Sequence, residues 1–333
     1  MTNSFISGVG HYVPEKVVTN DDLSNVMDTS DEWIQERSGI RERRHATPGL
    51  ETTSSMAVEA SKMALKNAAL TSKDIDFIVF ATLSPDFDFP GSGVLLQREL
   101  GMQGIGALDI RNQCSGFIYA LSVADQYIKS GMYNNILVVG SEVHSTALDM
   151  TTRGRNISVL FGDGAGAGAV VVSATKQNKG ILSTHLHADG DFAEELYLEN
   201  PGSRQSPRIT HEMIDNAEIY PYMNGREVFK HASTRFPEAI TEALQANGKT
   251  PEDLDLLVPH QANMRIIEYI RKTMHLPEEK VFVNIQKYGN TTAASIPVAL
   301  SEALQEGRLK DGSLVCLAAF GSGYTWASAL IKW

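Results

Sequence analysis

Three residues in this chain combine a reactive side chain with a suggestive place in the sequence: Cys114, His260 and Asn290. Cys114 stands just ahead of a run in which Phe117, Leu121, Ala124 and Ile128 recur at helical spacing, closed by Lys129 and Gly131. A cysteine at the mouth of a helix faces unpaired backbone N–H groups and the positive end of the helix dipole. Both favour the thiolate, lower the thiol's pKa and make a nucleophile. Ser115 and Gly116 keep side-chain bulk away from an approaching ligand. The plain alternative is a packing cysteine, the common fate of a free thiol and the one assigned to Cys316 inside LVCLAAF. His260 ends an apolar run and opens the polar run His-Gln-Ala-Asn, and ligand sites in open α/β sheets gather at such strand ends. Its alternative is a strand-end histidine bonded to backbone. Asn290, in YGNTTAAS, is either a helix N-cap or a partner of the other two.

Other patterns carry less. The pair His185 and His187 has no third ligand at metal-site spacing, so no metal site is expected. GAGAGA at 164–169 fits a dinucleotide fingerprint in form, but a strand pattern follows it where that motif needs a helix. There is no complete G-x-x-x-x-G-K-[ST] phosphate loop and no G-x-S-x-G nucleophile elbow.

The elements that must position these residues are short apolar runs alternating with amphipathic stretches. DIDFIVFAT (74–82), NNILVVGSE (134–142), AVVVSA (169–174), LDLLVPH (254–260) and SLVCLAAF (313–320) read as buried strands. The alternation predicts an α/β fold with sheets covered on both faces. The chain also repeats itself. TSKDIDFIV (71–79) resembles TPEDLDLLV (250–258) at an offset of 179, FISGVGH (5–11) lines up with ILSTHLH (181–187) at 176, and Leu137 with Leu314 at 177. Two copies of one unit follow, 1–174 and 175–333, joined near ATKQNKG. In the first, LDI leads into Cys114 and a helix. In the second, VFVNI (281–285) is expected to be a strand leading into Asn290 and a helix. That places Cys114 and Asn290 in equivalent positions, at an offset of 176.

Composition narrows the function. The net charge of −11 argues against nucleic acid as a partner. The most apolar runs are strand-length, far short of the ~20 residues that span a bilayer, and no secretory leader is expected at the N-terminus. Two cysteines in 333 residues are too few for a disulfide framework, so a reducing cytoplasm is expected.

From end to end the sequence strongly resembles the β-ketoacyl-acyl-carrier-protein synthase III enzymes of the thiolase superfamily. The resemblance rests on DTSDEWIQERSGIRERR (28–44), QCSGFIYALSVADQYIKSG (113–131), LFGDGAGA (160–167), THLHADG (184–190), NGREVFK (224–230), VPHQANMRI (258–266), YGNTTAASIP (288–297) and AFGSGYTW (319–326). It implies an αβαβα fold of two duplicated halves, an acyltransferase activity without a cofactor, and a Cys-His-Asn triad carried by Cys114, His260 and Asn290. Cys114 would take an acyl group from acyl-CoA. His260 and Asn290 would then assist decarboxylation of malonyl-acyl-carrier-protein, whose carbanion attacks the acyl-cysteine.

The resemblance also implies that the backbone N–H groups of Cys114 and Ser322 hold the oxyanion; many members have glycine where this chain has Ser322. Trp33 would stack on the CoA adenine, with Arg153 or Arg155 on its other face and Arg37 one helical turn away. Thr29 and Glu32 read as a capping box for that helix. Gly225 and Asn263 would line the pantetheine tunnel, beside Arg226, which replaces the family's asparagine. Phe320 and Phe89 would bound the acyl pocket, Phe89 from the partner subunit of a homodimer. Lys230, Arg265 and Lys272 would form a basic patch for the acidic carrier protein. The run RNQCSGF departs from the usual AAACAGF. It keeps open a different or longer starter feeding a specialised pathway, and, in another class, a non-catalytic carrier-binding subunit.

Overall fold

The computed structural model describes residues 2–162 and 164–333. Asp163, inside the motif LFGDGAGA, lies outside the described residues.

Two sheets carry the chain. The first has the spatial order Asn3–Tyr12, Ala165–Thr175, Asn135–Val143, Phe77–Ala81, Gly106–Ile110. The second repeats it as Gly180–Ala188, Thr325–Lys332, Leu314–Gly321, Leu256–Pro259. Runs such as Ile136–Val139 and Val315–Ala319 are apolar throughout because both faces of each sheet are covered. In the first sheet Phe77–Ala81 runs parallel to both its neighbours, and Ala165–Thr175 runs antiparallel to both of its own.

The fifth position of the second sheet departs from expectation. Residues 281–285 do not form a strand. Val281 alone bridges Leu257, in parallel, where the first sheet has Gly106–Ile110. A helical turn, Glu278–Lys280, ends just before Val281, and the short helix Ile285–Tyr288 begins four residues later, so no length is left for a strand.

The duplication is regular at its centre. Ile78 pairs with Leu137 as Leu257 pairs with Cys316, and the central helices Gly116–Lys129 and Ser295–Gln305 begin at matching points. Each of these correspondences is an offset of 179. Each helix follows a 3₁₀ turn, Gln113–Ser115 or Thr292–Ala294, whose first residue has a positive φ of 42° or 47°. The structural counterpart of Cys114 is therefore Ala293. Asn290 lies three residues ahead of it, and the sequence-level register of 176 is corrected to 179.

The two central helices form the middle layer between the sheets, with Phe117, Leu121 and Ile128 meeting Ile296, Leu300 and both sheets in one core. The helix Thr53–Asn67 covers the outer face of the first sheet. Gly225–Ala246 and Met264–Thr273 cover the second. Layer by layer this is αβαβα. Two glycines set the inner spacing: a Cβ at Gly140 would lie 2.2 Å from the Ala293 carbonyl oxygen, and one at Gly168 would lie 2.6 Å from Pro297. Among the described residues no helix is long and apolar enough to cross a membrane.

Candidate active site

The two 3₁₀ turns bring the halves together. Cys114 comes from the first turn, Asn290 from the loop that enters the second, and His260 from just beyond the strand Leu256–Pro259. All three line one cavity and are 5 %, 5 % and 1 % exposed. Gly225, Asn263 and Phe320 line it too.

The thiol of Cys114 is not lowered as its helix-mouth position predicts. Burial, and then the nearby Glu142 carboxyl, push it up to about 12. Three groups oppose them by favouring the sulfur anion: the Thr292 hydroxyl and the backbone N–H groups of Cys114 and Ser322. The helix end favours the thiolate, but desolvation in a closed site outweighs it. Cys316 is also pushed up to about 12, by burial alone, with no opposing donor. That contrast separates the two cysteines.

His260 is pushed down to about 3 by burial, with a further contribution from His144. It is therefore neutral near pH 7. Its Nδ1 lies 2.6 Å from Ser295 Oγ. Ser295 Oγ accepts from the Gln261 N–H at 3.4 Å, leaving its own proton for Nδ1. This network assigns the ring proton to Nε2, which is buried with no partner. Asn290 Oδ1 accepts from the Thr292 N–H at 2.8 Å, leaving its amide nitrogen as the donor. The site thus holds two N–H donors from His260 and Asn290, two backbone donors near the sulfur, and the sulfur itself.

Glu142, fully buried, has its pKa raised to about 7 by burial against the pull of several donors. It accepts from Thr82 Oγ1 at 3.1 Å, Ser84 Oγ at 2.5 Å, and the Leu83 and Ala293 N–H groups. It ties the end of the strand Phe77–Ala81 to the second 3₁₀ turn. Glu142, Thr292 and Ser295 were not singled out from sequence. Only the fold shows that Thr292 and Ser295, inside YGNTTAAS, reach Cys114 and His260.

Ser322 directs its hydroxyl to the Leu196 carbonyl, away from the sulfur, so its N–H is left in place beside Cys114. Phe320, 3 % exposed, packs at 4.8 Å on Tyr324 and lines the cavity wall.

Other residues singled out from the sequence lie at the rim. The helix Asp31–Ser38 is capped by Ser30, whose Oγ accepts from the Trp33 N–H, rather than by Thr29. Arg37 lies 4.3 Å and Arg155 4.7 Å from the Trp33 ring centroid. Arg153 instead pairs with Asp149 at 2.7 Å. Asn263 caps the helix Met264–Thr273 through Arg265 N–H, and its Nδ2 donates to the Arg37 carbonyl at 2.9 Å. It joins the Trp33 helix to the cavity. Gly225 opens the helix Gly225–Ala246 with free space beside it, since an added Cβ would meet only Met223 Cε, at 4.0 Å. Arg226 is exposed at that helix start. Lys230 pairs with Glu227 at 3.1 Å, Arg265 lies 5.9 Å from the Phe229 ring, and Lys272 is exposed on the same helix as Arg265. Phe87 and Phe89 are 56 % and 84 % exposed, and Phe89 does not reach its own chain's cavity. His185 and His187 are both held by Glu242, at 3.3 and 2.6 Å.

Comparison with known proteins adds an independent line. Residues 108–190 match the family model for 3-oxoacyl-[acyl-carrier-protein] synthase III, and 244–333 match the model for its C-terminal part. The chain is 47 % identical over 328 residues to the β-ketoacyl-[acyl-carrier-protein] synthase III of Caldanaerobacter subterraneus, covering 98 % of this chain and 97 % of that one. It is 48 % identical over 330 residues to the synthase III of Methylococcus capsulatus, covering 99 % of each. The crystal structure of 3-oxoacyl-[acyl-carrier-protein] synthase III from Aquifex aeolicus superposes with a TM-score of 0.90 at 45 % identity, over 99 % of this chain and 100 % of that one.

Proposed function

The chain belongs to the 3-oxoacyl-[acyl-carrier-protein] synthase III family, and from that membership we propose that Cys114, His260 and Asn290 carry a decarboxylative condensation that primes fatty-acid synthesis. The substrates are a short acyl-CoA, with acetyl-CoA the expected starter, and malonyl-acyl-carrier-protein. The observation that supports the residue roles is the convergence of the sulfur, the two backbone donors and the two side-chain donors on one buried cavity.

The steps follow from the donors. The Cys114 thiolate attacks the thioester carbonyl, and the N–H groups of Cys114 and Ser322 take the negative oxygen. Donors aimed at developing charge in a dry site are worth on the order of 10²–10³ in rate each. CoA leaves as its thiolate and takes a proton from solvent. Malonyl-acyl-carrier-protein then places its thioester oxygen against His260 Nε2–H and Asn290 Nδ2–H. As CO₂ leaves, both donate to the enolate oxygen, and the enolate carbon attacks the acyl-cysteine and releases the sulfur. A neutral histidine suits this task because it offers a fixed donor without bringing a buried cation.

Trp33, with Arg155 over its ring, is the seat for the adenine, and Gly225 and Asn263 flank the pantetheine path. Lys230, Arg265 and Lys272 face the carrier protein. The chain acts as a homodimer in which the exposed Phe89 closes the partner's acyl pocket. Two exposed aromatics on one loop forgo roughly 1.5–3 kcal/mol of burial each, and a second subunit recovers it.

Intact-mass spectrometry after incubation with a panel of acyl-CoAs tests the assignment. One acyl group is expected on the native chain and none on Cys114→Ala. An adduct on the variant would move the nucleophile elsewhere. A longer loading profile for Phe89→Ala is expected, and an unchanged profile would remove the cross-subunit pocket.

A further inference from the structure

Cys114 must lose a proton before it attacks, and His260 presents a donor to the cavity rather than a base. A second histidine reaches the same sulfur through Thr292. His144, directly after the strand Asn135–Val143, is 2 % exposed. Its Nε2 lies 2.8 Å from Thr292 Oγ1, and the Thr292 hydroxyl is in turn one of the groups that favour the Cys114 sulfur anion. The Phe161 ring packs edge-on against the imidazole at 5.3 Å. Thr292 is fully buried and has φ +47°, a region where a β-branched residue is strained. A backbone that holds threonine there, at the first residue of the 3₁₀ turn, fixes its hydroxyl against the imidazole.

We propose that His144, acting through the Thr292 hydroxyl, is the proton acceptor for Cys114. In the resting chain the order is S–H to Oγ1 and Oγ1–H to Nε2. On activation the thiol proton moves to Oγ1 as the hydroxyl proton moves to Nε2. The same three heavy atoms then read Nε2–H to Oγ1 and Oγ1–H to the thiolate. When the condensation releases the Cys114 sulfur, the two protons run back. Over the cycle the relay gains and loses nothing. His144 touches no substrate and is a positioning residue. The inference rests on Cys114 being the acyl acceptor.

Glu142 acts on the sulfur and His260 faces His144, and neither is altered in the test. The rate at which iodoacetamide alkylates Cys114 is measured against pH in the full chain, with Cys114→Ala subtracting any reaction at Cys316. The native protein is compared with His144→Gln, Thr292→Val and Thr292→Ser. Glutamine fills the site but cannot accept a proton at these pH values; valine keeps the threonine shape without the hydroxyl; serine keeps the hydroxyl. At a given pH between about 7 and 9 the alkylation rate is expected to fall about tenfold in His144→Gln and Thr292→Val, the loss of thiolate that one pH unit represents, and to stay native in Thr292→Ser. Single-turnover acylation by acetyl-CoA should fall by a similar factor in the first two. Superimposable profiles for Thr292→Val and Thr292→Ser overturn the relay even if His144→Gln does not fold. A native protein that takes up no acyl group at Cys114 overturns the acyl-acceptor reading itself, and the relay with it.

Discussion

Gly321 and Cys114 are packed so closely that only a bare Cα fits between them. A Cβ at Gly321 would lie 3.0 Å from Cys114 Sγ and 2.6 Å from its Cβ. The contact joins the end of the strand Leu314–Gly321 in the second half to the 3₁₀ turn of the first. It also fixes the next residue, Ser322, whose N–H faces the sulfur.

Gly321→Ala should therefore fold and lose acylation. The added methyl displaces either the sulfur or the strand end, and with it the Ser322 N–H. A fall on the order of 10² in single-turnover acylation is expected, with the unfolding temperature within a few degrees of native. Native acylation rates in this variant would mean that the strand end yields freely and that Ser322 N–H does not serve the oxyanion.

The two side-chain donors should matter for one half-reaction more than the other. His260→Ala and Asn290→Ala are expected to reduce decarboxylation of malonyl-acyl-carrier-protein by on the order of 10² or more, with acylation of Cys114 within about tenfold of native. Neither side chain is needed to hold the first oxyanion. Rapid-quench assays of the separate half-reactions decide the matter, and equal losses in both would make His260 the base for Cys114.

Arg155 and Arg153 should part company. Arg155 lies over Trp33, whereas Arg153 is engaged by Asp149. A cation over an indole face contributes about 0.5–2 kcal/mol. Arg155→Ala should raise the KM for acyl-CoA about 2- to 30-fold with kcat little changed, and Arg153→Ala should leave both near native. The reverse pattern in steady-state kinetics would reassign the adenine contact.

Buried His260 predicts a pH dependence of stability. Its pKa is about 3 in the folded chain against 6.5 for a free histidine. Between those values the unfolded chain binds a proton that the folded chain refuses, so stability is lost as pH falls from 6.5. His260→Gln should show a smaller drop in unfolding temperature between about pH 7 and pH 5 than the native protein. His11, also lowered by burial, supplies part of the slope in both. Identical slopes would show that His260 is solvated or protonated in the folded state.

The sequence by itself determined the repeated α/β architecture, because the apolar runs, their β-branched composition and the helical spacing after Cys114 are local properties that survive into the fold. It also carried the identities of Cys114, His260 and Asn290, through motifs specific enough to mark the family. Tertiary structure decided what those residues experience. Helix-mouth reasoning lowers the thiol of Cys114, but burial raises it, since desolvation depends on every element that closes the cavity. The register between the halves had to be corrected from 176 to 179, because a short repeat match tolerates slips of a few residues that strand pairing does not. Arg153 and Arg155 are two residues apart in sequence, and only the fold shows that Arg153 is engaged by Asp149 while Arg155 lies over Trp33. Thr292, Ser295, Glu142 and His144 gave no signal of their own: a hydroxyl or a carboxyl becomes part of a site only when distant segments fold to place it within hydrogen-bond reach of the reacting atoms.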